Sequence, residues 1–183
     1  MEDKNRKAIE IYNKIAEDYA KIYDPMTSDE DLIFLKIFIG YLPTKSYIVD
    51  LGCGTGFSCR WFVSQGMESE GIDFSQSMIT IAQRNYPEIN FRLADMRSYQ
   101  PLLESVDAVW AGYSMFHFKK DDFIKTITKI KEYLKTDGIF GLVIQEGDGE
   151  VEIPEPFLPE ENIFLQLYSE KELTNILYNL GFK

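Results

Sequence analysis

Cysteine and histidine are both scarce in this chain of 183 residues. There are 2 cysteines, Cys53 and Cys59, and 1 histidine, His117. Two thiols this close in sequence are too few to build a disulfide framework, and with one imidazole they do not make a standard zinc site. We therefore expect free, buried thiols and no bound metal ion.

Positive charge and long apolar runs are also lacking. The 19 Lys and Arg stand against 30 Asp and Glu, for a formal net charge of −11. Nucleic-acid binding depends on clustered basic residues that neutralise phosphates, so DNA and RNA are not expected as partners. No run reaches the length of a membrane span, and the first residues lack the apolar core of a signal peptide. We expect a cytoplasmic protein without membrane association, folded as a single domain over residues 1–183.

The most informative stretch joins a short strand to a helix through closely spaced glycines. A β-branched and aromatic run over residues 47–49 ends at Asp50, and Gly52, Gly54 and Gly56 follow before apolar residues resume at helical spacing. Glycine is needed where φ is positive or where a ligand approaches the bare backbone, although a tight structural turn also explains such a loop. A strand, a glycine loop and a helix start aim backbone N–H groups at one point, which predicts a ligand site beyond the carboxyl end of the strand.

The spacing of these glycines separates two classes of nucleotide-binding protein. It is GxGxG, with Phe57 where the dinucleotide fingerprint GxGxxG has its third glycine, so a nicotinamide site is disfavoured. The stretch from Asp50 to Gly56 resembles the first motif of the class I S-adenosylmethionine-dependent methyltransferases, which is an acidic residue, a hydrophobic residue and GxGxG. The resemblance implies S-adenosylmethionine as cofactor, S-adenosylhomocysteine as product and a small molecule as methyl acceptor.

Two later strands also end in an acidic residue. Asp73 ends a strand over 68–73, and Asp95 follows a strand over 91–94. A carboxylate at the first of these tips can accept both ribose hydroxyls, and the alternative is a helix cap. The resemblance implies that Asp95 accepts the amine of adenine while Met96 packs on the ring, and the alternative is an exposed loop acid. The cofactor residues implied are Tyr19, Asp50, Gly52, Cys53, Gly54, Gly56, Asp73, Phe74, Met78, Asp95, Met96 and Ala111.

Predicted strands and helices alternate along the chain, which favours right-handed crossovers and a parallel sheet. The fourth and fifth strands are predicted over 106–112 and 139–144, and the helix between them is expected to end at Asp137-Gly138. The resemblance implies a three-layer Rossmann-like α/β sandwich with a mainly parallel sheet of about five strands in the order 3-2-1-4-5. The family's last two strands are expected to be lacking, either because the chain is truncated or because the sheet stops at five strands. In the second case the fifth strand is an exposed edge through which copies of the chain self-associate.

Two helices precede the sheet and can cover its ligand-binding edge. Apolar residues recur at near-helical spacing over 4–23, and Ser28 with Asp31 predicts the cap of a second helix. The resemblance implies that the first helix closes over the cofactor, with Tyr12 and Tyr19 on one face, while packing of an amphipathic helix is the alternative. Residues 1–45 are thus expected to be cap helices, 46–146 the cofactor-binding core, and 147–183 an acidic loop and a last helix.

Methyl transfer from a sulfonium depends on orientation and exclusion of water more than on a strong catalytic group. His117 is the candidate base for an acceptor that must lose a proton, with packing or helix capping as the alternative. Tyr12, Tyr113 and Phe116 are candidate acceptor contacts. The loop from Ala111 to Ser114 lacks the Asn/Asp-Pro-Pro-aromatic signature of enzymes that methylate adenine or glutamine, and no magnesium site is expected.

Acidic residues are concentrated between Glu146 and Glu161, with no Lys or Arg among them. Together with the prolines they predict a loop over 147–161, which is either solvated or attracts a cationic acceptor. A short strand over 163–168 and a helix capped by Ser169 with Glu172 are expected to follow.

Two functions from different classes are consistent with these patterns. The first is a small-molecule methyltransferase. The alternative is a non-catalytic S-adenosylmethionine-binding or regulatory subunit that needs a partner, because fold alone does not fix function.

Overall fold

A computed structural model of the chain describes residues 4–25, 28 and 32–183. Helices and strands alternate through most of these residues. The elements are α1 (Lys4–Tyr23), α2 (Ile33–Ile39), β1 (Tyr47–Leu51), α3 (Phe57–Ser64), β2 (Glu68–Asp73), α4 (Gln76–Asn85), β3 (Asn90–Leu93), β4 (Val106–Gly112), a 3-10 turn (Met115–His117), α5 (Lys120–Tyr133), β5 (Leu134–Val143), β6 (Gly149–Glu155), β7 (Leu158–Leu167) and α6 (Glu170–Asn179).

The central sheet confirms the predicted topology. Its five strands lie in the order β3-β2-β1-β4-β5, and every neighbouring pair is parallel. The chain moves outward from β1 through β2 to β3 and then crosses to β4 on the other side of β1. A crevice opens beside the carboxyl end of β1 at this reversal, which is where ligands bind in open α/β sheets.

Apolar side chains cover both faces of the sheet. On one face, Phe38 of α2 and Phe62 of α3 pack against Trp110 of β4, and the Phe38 and Trp110 ring centroids are 5.0 Å apart. On the other face, the fully buried Phe123 and Ile127 of α5 join the main core cluster. The three layers of the predicted sandwich are therefore present, and they hold the ends of the central strands rigidly.

Helix α1 lies between α4 and a hairpin formed by β6 and β7. Its residues Ile11 and Ile15 cluster with Ile163 of β7, while Ala16 and Ala20 cluster with α4. Lysines of α1 form ion pairs with acids of the hairpin, Lys4 with Glu152 and Lys14 with Glu161 at 3.2 Å; Lys7 also pairs with Glu161, at 3.7 Å. The hairpin and α1 together cover the sheet at the carboxyl ends of its central strands.

The prediction of a loop over 147–161 was wrong, because this segment forms most of the antiparallel β6–β7 hairpin. Val151 and Ile153 alternate with Glu150 and Glu152, which is the period of a strand. The acids and prolines obscured that alternation. Two of the acids, Glu152 and Glu161, pair with lysines of α1, so the chain itself neutralises part of the negative charge. The short strand expected over 163–168 is the second half of β7.

The predicted cap of α2 by Ser28 with Asp31 falls partly outside the described residues; within them, α2 begins at Ile33, and Leu32 donates its backbone N–H to the Ser28 carbonyl oxygen at 3.2 Å. The boundary between α5 and β5 differs from expectation. Helix α5 ends at Tyr133 and not at 137–138, because the chain enters β5 at Leu134 and a register shift separates that residue from the main pairing with β4. The central residues of β5 are half-buried and not covered on both faces.

Candidate functional site

The three glycines after β1 all have positive φ, but they serve two different purposes. Gly52, Gly54 and Gly56 have φ of 81°, 54° and 90°. A Cβ on Gly52 would lie 2.2 Å from the Cβ of Ser114, and one on Gly56 would lie 2.7 Å from the Phe91 ring, so these two glycines allow close packing inside the protein. A Cβ on Gly54 would meet only the Tyr19 ring, at 3.9 Å. Gly54 is therefore the glycine whose bare backbone faces the cleft.

The Asp73 carboxylate lies at the tip of β2 and joins it to the glycine loop. It accepts hydrogen bonds from the backbone N–H of Gly54 at 2.9 Å and of Ser75 at 2.8 Å. Burial raises the pKa of Asp73 to about 6, and these backbone hydrogen bonds act in the opposite direction. Each carboxylate oxygen keeps a second lone pair, so Asp73 can accept two further hydroxyl donors. Ser75 also caps α4, because its hydroxyl accepts a hydrogen bond from the backbone N–H of Met78.

Asp50 and the two cysteines lie beneath the glycine loop and not in the cleft. Asp50 is 2% exposed, and its carboxylate accepts a hydrogen bond from the Cys59 thiol at 3.6 Å. Burial raises the pKa of Asp50 to about 7 and raises the pKa of both thiols. Both cysteines are free and buried, which confirms that prediction.

The cleft at the carboxyl ends of β1, β2 and β4 contains most of the residues expected at the site. It encloses about 50 Å³, less than the roughly 300 to 1,000 Å³ of a small-molecule site, and Tyr12 and Tyr19 of α1 are among its lining residues. The Tyr19 ring lies 3.9 Å from the position of a Cβ on Gly54. The residues that line the cleft are Tyr12, Tyr19, Gly52, Gly54, Asp73, Phe74, Met78, Gly112, Tyr113, Ser114 and His117.

His117 lies at the end of the cleft away from Asp73 and is 3% exposed. Its Nδ1 is 3.0 Å from the carbonyl oxygen of Phe164 in β7, and its Nε2 is 2.9 Å from the hydroxyl of Tyr12. Burial lowers the pKa of His117 to about 4, so the ring is neutral at physiological pH. The single histidine is thus held in one orientation by groups from two distant elements.

Several of the expected site residues lie outside the cleft wall. Asp95 accepts hydrogen bonds on both oxygens from the Arg97 Nε, at 3.0 and 2.9 Å, and Arg97 also bonds Asp122. Met96 is 2% exposed, although its Cε would lie 3.2 Å from a Cβ on Gly52. The other expected residues that do not line the cleft are Asp50, Cys53, Gly56, Ala111 and Phe116.

Sequence reasoning missed two groups of residues at the site. Gly112 and Ser114 line the cleft beside Tyr113, and Ser114 donates from its hydroxyl to the carbonyl of Leu51 at 2.6 Å. Both residues are sequence neighbours of Tyr113, and this position could have identified them as lining residues. The hairpin contributes the Phe164 carbonyl and the Phe157 ring, whose centroid is 6.1 Å from that of Tyr19. A strand containing Phe164 was predicted, but its pairing with β6 was not, so neither Phe157 nor the Phe164 carbonyl was expected at the site.

The described residues contain no group of three or more His, Cys, Asp or Glu side chains placed to hold a metal ion. No described helix is long and apolar enough to cross a bilayer. The cleft instead offers a bare glycine backbone, an acid-tipped neighbouring strand and apolar side chains. On a 3-2-1-4-5 parallel sheet, this arrangement defines a Rossmann-like nucleoside-binding domain.

Comparison with known proteins identifies which class of nucleoside-binding domain this is. Residues 48–138 match the family model described as a methyltransferase domain. The Campylobacter jejuni ubiquinone/menaquinone biosynthesis C-methyltransferase UbiE is 25% identical over 190 aligned positions, which cover 97% of this chain and 75% of that protein. The chain therefore carries a methyltransferase domain over residues 48–138, on a fold that it shares with solved methyltransferases.

Solved structures share the fold over nearly the whole chain. A complex of DhpI with S-adenosylhomocysteine (SAH) superposes with a TM-score of 0.75 at 21% identity and covers 96% of this chain and 86% of that one. The Burkholderia thailandensis 1,6-didemethyltoxoflavin-N1-methyltransferase, with its substrate and S-adenosylhomocysteine bound, gives a TM-score of 0.76 at 16% identity and covers 98% and 78%. Three curated relatives align with most of this chain, and the chain spans 67%, 53% and 75% of their respective lengths.

Proposed function

We propose that this chain transfers a methyl group from S-adenosylmethionine to a small-molecule acceptor, mainly by holding the two in line. The observation that carries the proposal is the cleft between the glycine loop and His117, which joins a nucleoside site to a second, aromatic-lined end. That second end is closed by α1 and the β6–β7 hairpin. An acceptor placed there would be shielded from water beside the methyl donor.

The cofactor residues follow from the geometry of the cleft. Asp73 would accept the ribose hydroxyls, the bare backbone at Gly54 would allow the nucleoside to approach closely, and Phe74 and Met78 would supply apolar contact. Asp95 does not line the cleft, so its proposed role toward the adenine amine rests on the family resemblance, and Arg97 would fix the orientation of its carboxylate. Tyr19 would close over the cofactor after moving aside for its entry.

Orientation can account for the chemistry without a strong catalytic group. The sulfonium carries a neutral leaving group, and well-oriented reactants gain on the order of 7 kcal/mol or more from proximity. His117 and Tyr12 lie at the acceptor end, where their hydrogen bond fixes one wall. Tyr113, which is 54% exposed and has φ of 53°, borders the same end, and Phe116 packs beside His117.

The edge of the sheet supports a further proposal about assembly. In the described part of the chain, β5 pairs with β4 on one side only, and its apolar residues are half-buried. An edge strand of this kind offers unpaired backbone groups to a second copy. We expect a concentration-dependent dimer in light scattering, and a constant monomer mass over a wide concentration range would contradict it.

The function is tested by measuring binding and transfer separately. Calorimetry with S-adenosylhomocysteine should show binding that Asp73→Asn weakens. Asp107→Asn is a matched control, because Asp107 also accepts a backbone N–H, from Tyr47 at 2.9 Å, but at the opposite end of the sheet. A tritiated-methyl assay over amines and phenols should then show transfer. Binding without transfer to any acceptor would favour the non-catalytic subunit, and absence of binding would refute both.

A further inference from the structure

The protons between His117 and its two partners can be assigned from chemistry. The Phe164 carbonyl oxygen only accepts hydrogen bonds, so His117 Nδ1, which is 3.0 Å away, carries a proton. The buried ring is neutral, so Nε2 is then an unprotonated acceptor. The Tyr12 hydroxyl, 2.9 Å from Nε2, must therefore be the donor in that hydrogen bond.

This assignment fixes what Tyr12 can offer to a ligand. Its only proton is directed at His117, so the Tyr12 oxygen presents lone pairs alone to the cleft that it lines. Burial raises the pKa of Tyr12 well above its ordinary value, so the oxygen stays uncharged. Packing holds it in place as well, because Tyr12 lies against the cluster that joins α1 to Ile163 of β7. Tyr12 is thus a fixed hydrogen-bond acceptor.

The charges around the cleft have one sign. Among the described residues that line it, Asp73 is the only one with a charged side chain, and none is Lys or Arg. Glu155 of the hairpin is 6% exposed and, with Asp73, contributes to the raised pKa of Tyr12. Basic residues nearby are paired elsewhere, Lys14 with Glu161 and Arg97 with Asp95. The described lining residues thus supply no positive charge to an anionic acceptor, so the sulfonium of the methyl donor would be the one cation beside it. The lone pairs of the Tyr12 oxygen would face such an anion unfavourably.

We propose that the methyl acceptor is an uncharged or cationic molecule whose reacting atom is an uncharged O–H or N–H, and that this group donates its hydrogen bond to Tyr12. A carboxylate has no proton to donate to Tyr12, so we do not expect carboxylates as acceptors. This inference rests on the proposed function and narrows its substrate class. It uses the end of the cleft that Tyr12 and His117 define, and not the nucleoside end at Asp73.

The proposed step balances. The lone pair of the acceptor oxygen or nitrogen forms the bond to the methyl carbon, and the carbon–sulfur bond breaks with its electron pair going to sulfur. The acceptor proton passes to the Tyr12 oxygen while the Tyr12 proton passes to His117 Nε2. The buried ring, which favours its neutral form, then releases that proton to water. Tyr12 and His117 are restored, and S-adenosylhomocysteine and the methylated acceptor leave.

The test uses ring-matched probes on the chain saturated with S-adenosylhomocysteine. Phenol and aniline present one uncharged donor, and benzoate presents an anion. Ligand-observed NMR titrations should give at least about tenfold tighter binding of phenol and aniline than of benzoate. Tyr12→Phe should reduce this preference at least about threefold, because the acceptor oxygen is lost while the acidic surroundings remain. Tyr178→Phe, a change at a 74% exposed tyrosine of α6, should leave the preference intact.

The outcomes separate this inference from the proposed function. Benzoate binding as tightly as phenol, absence of binding by all three probes, or an unchanged preference in Tyr12→Phe would overturn the inference. If Tyr12→Phe does not fold, the wild-type preference alone decides. A chain that methylates carboxylates keeps the function and loses the inference, whereas a chain that prefers phenol but transfers no methyl group loses the function and keeps the inference.

Discussion

Gly54→Ala isolates the role of one bare backbone position in cofactor binding. Gly54 has φ of 54°, and a Cβ there would meet no protein atom closer than the Tyr19 ring at 3.9 Å. The cost to folding is therefore the left-handed backbone alone, about 1 to 2 kcal/mol for an L-residue. In a chain of this size that lowers the melting temperature by roughly 2 to 8 °C.

The effect of Gly54→Ala on binding should be much larger than its effect on folding suggests. The new methyl group would project into the cleft against the bound nucleoside. Overpacking of this kind costs about 1 to 3 kcal/mol, which corresponds to a loss of S-adenosylhomocysteine affinity of about 5-fold to 150-fold. Isothermal calorimetry measures this loss directly.

Gly66→Ala is the matched control for this prediction. Gly66 has φ of 82° and is exposed, and a Cβ added there would meet no atom within 4 Å, so the same backbone cost applies far from the cleft. We expect similar melting temperatures for the two variants and wild-type affinity only for Gly66→Ala. Equal affinities in the two variants would refute the assignment of Gly54 to the ligand approach.

Three further predictions follow from the packing around the site. Gly52→Ala should destabilise the fold by about 2 to 5 kcal/mol, because the backbone has a positive φ and the new Cβ would lie 2.2 Å from the Ser114 Cβ. Adding Ser114→Gly should restore part of the lost urea midpoint. An unrestored midpoint would contradict the proposed clash. Burial raises the pKa of Asp50 from 3.8 to about 7, so the folded state holds this proton more tightly than the unfolded chain does. The free energy of unfolding is therefore higher at low pH, and on the order of 4 kcal/mol of it is lost as the pH rises from about 4 to about 7. Asp50→Asn should flatten the decline of the urea midpoint between about pH 4 and 7, and an unchanged slope would contradict it. Phe157→Ala removes a ring 6.1 Å from Tyr19 and should speed S-adenosylhomocysteine dissociation about two- to tenfold in stopped flow; an unchanged rate would show that the hairpin does not hold α1 closed.

Local sequence patterns were sufficient for several helices and strands and for the glycine loop, whereas the strand order came from the family resemblance. Residues 4–23, 68–73 and 106–112 form the predicted helix and strands with the same bounds. Periodicity and caps act within a few residues, so they can be recognised without the fold. The Ser169 cap of α6, which accepts from the N–H of Glu172 at 3.3 Å, is a further case.

The hairpin could not be predicted in the same way. Its two strands pair only with each other in a sheet of their own, and an isolated two-stranded ribbon is marginally stable. Contacts with α1 stabilise it, through Ile163 and the ion pairs of Glu152 and Glu161. These partners lie far away in sequence, and an acidic, proline-bearing composition is otherwise typical of a loop.

The sequence by itself determined where the backbone must bend and which strand carries an acid beside that bend. Positive φ at Gly52, Gly54 and Gly56 and the Asp73 strand tip follow from local chemistry that neighbouring residues express. Only the tertiary structure decided that Tyr12 donates to His117, since the two residues are 105 positions apart and the Phe164 carbonyl that sets the ring comes from a third element. Hydrogen bonds between distant segments depend on how whole layers pack, and no local propensity encodes them.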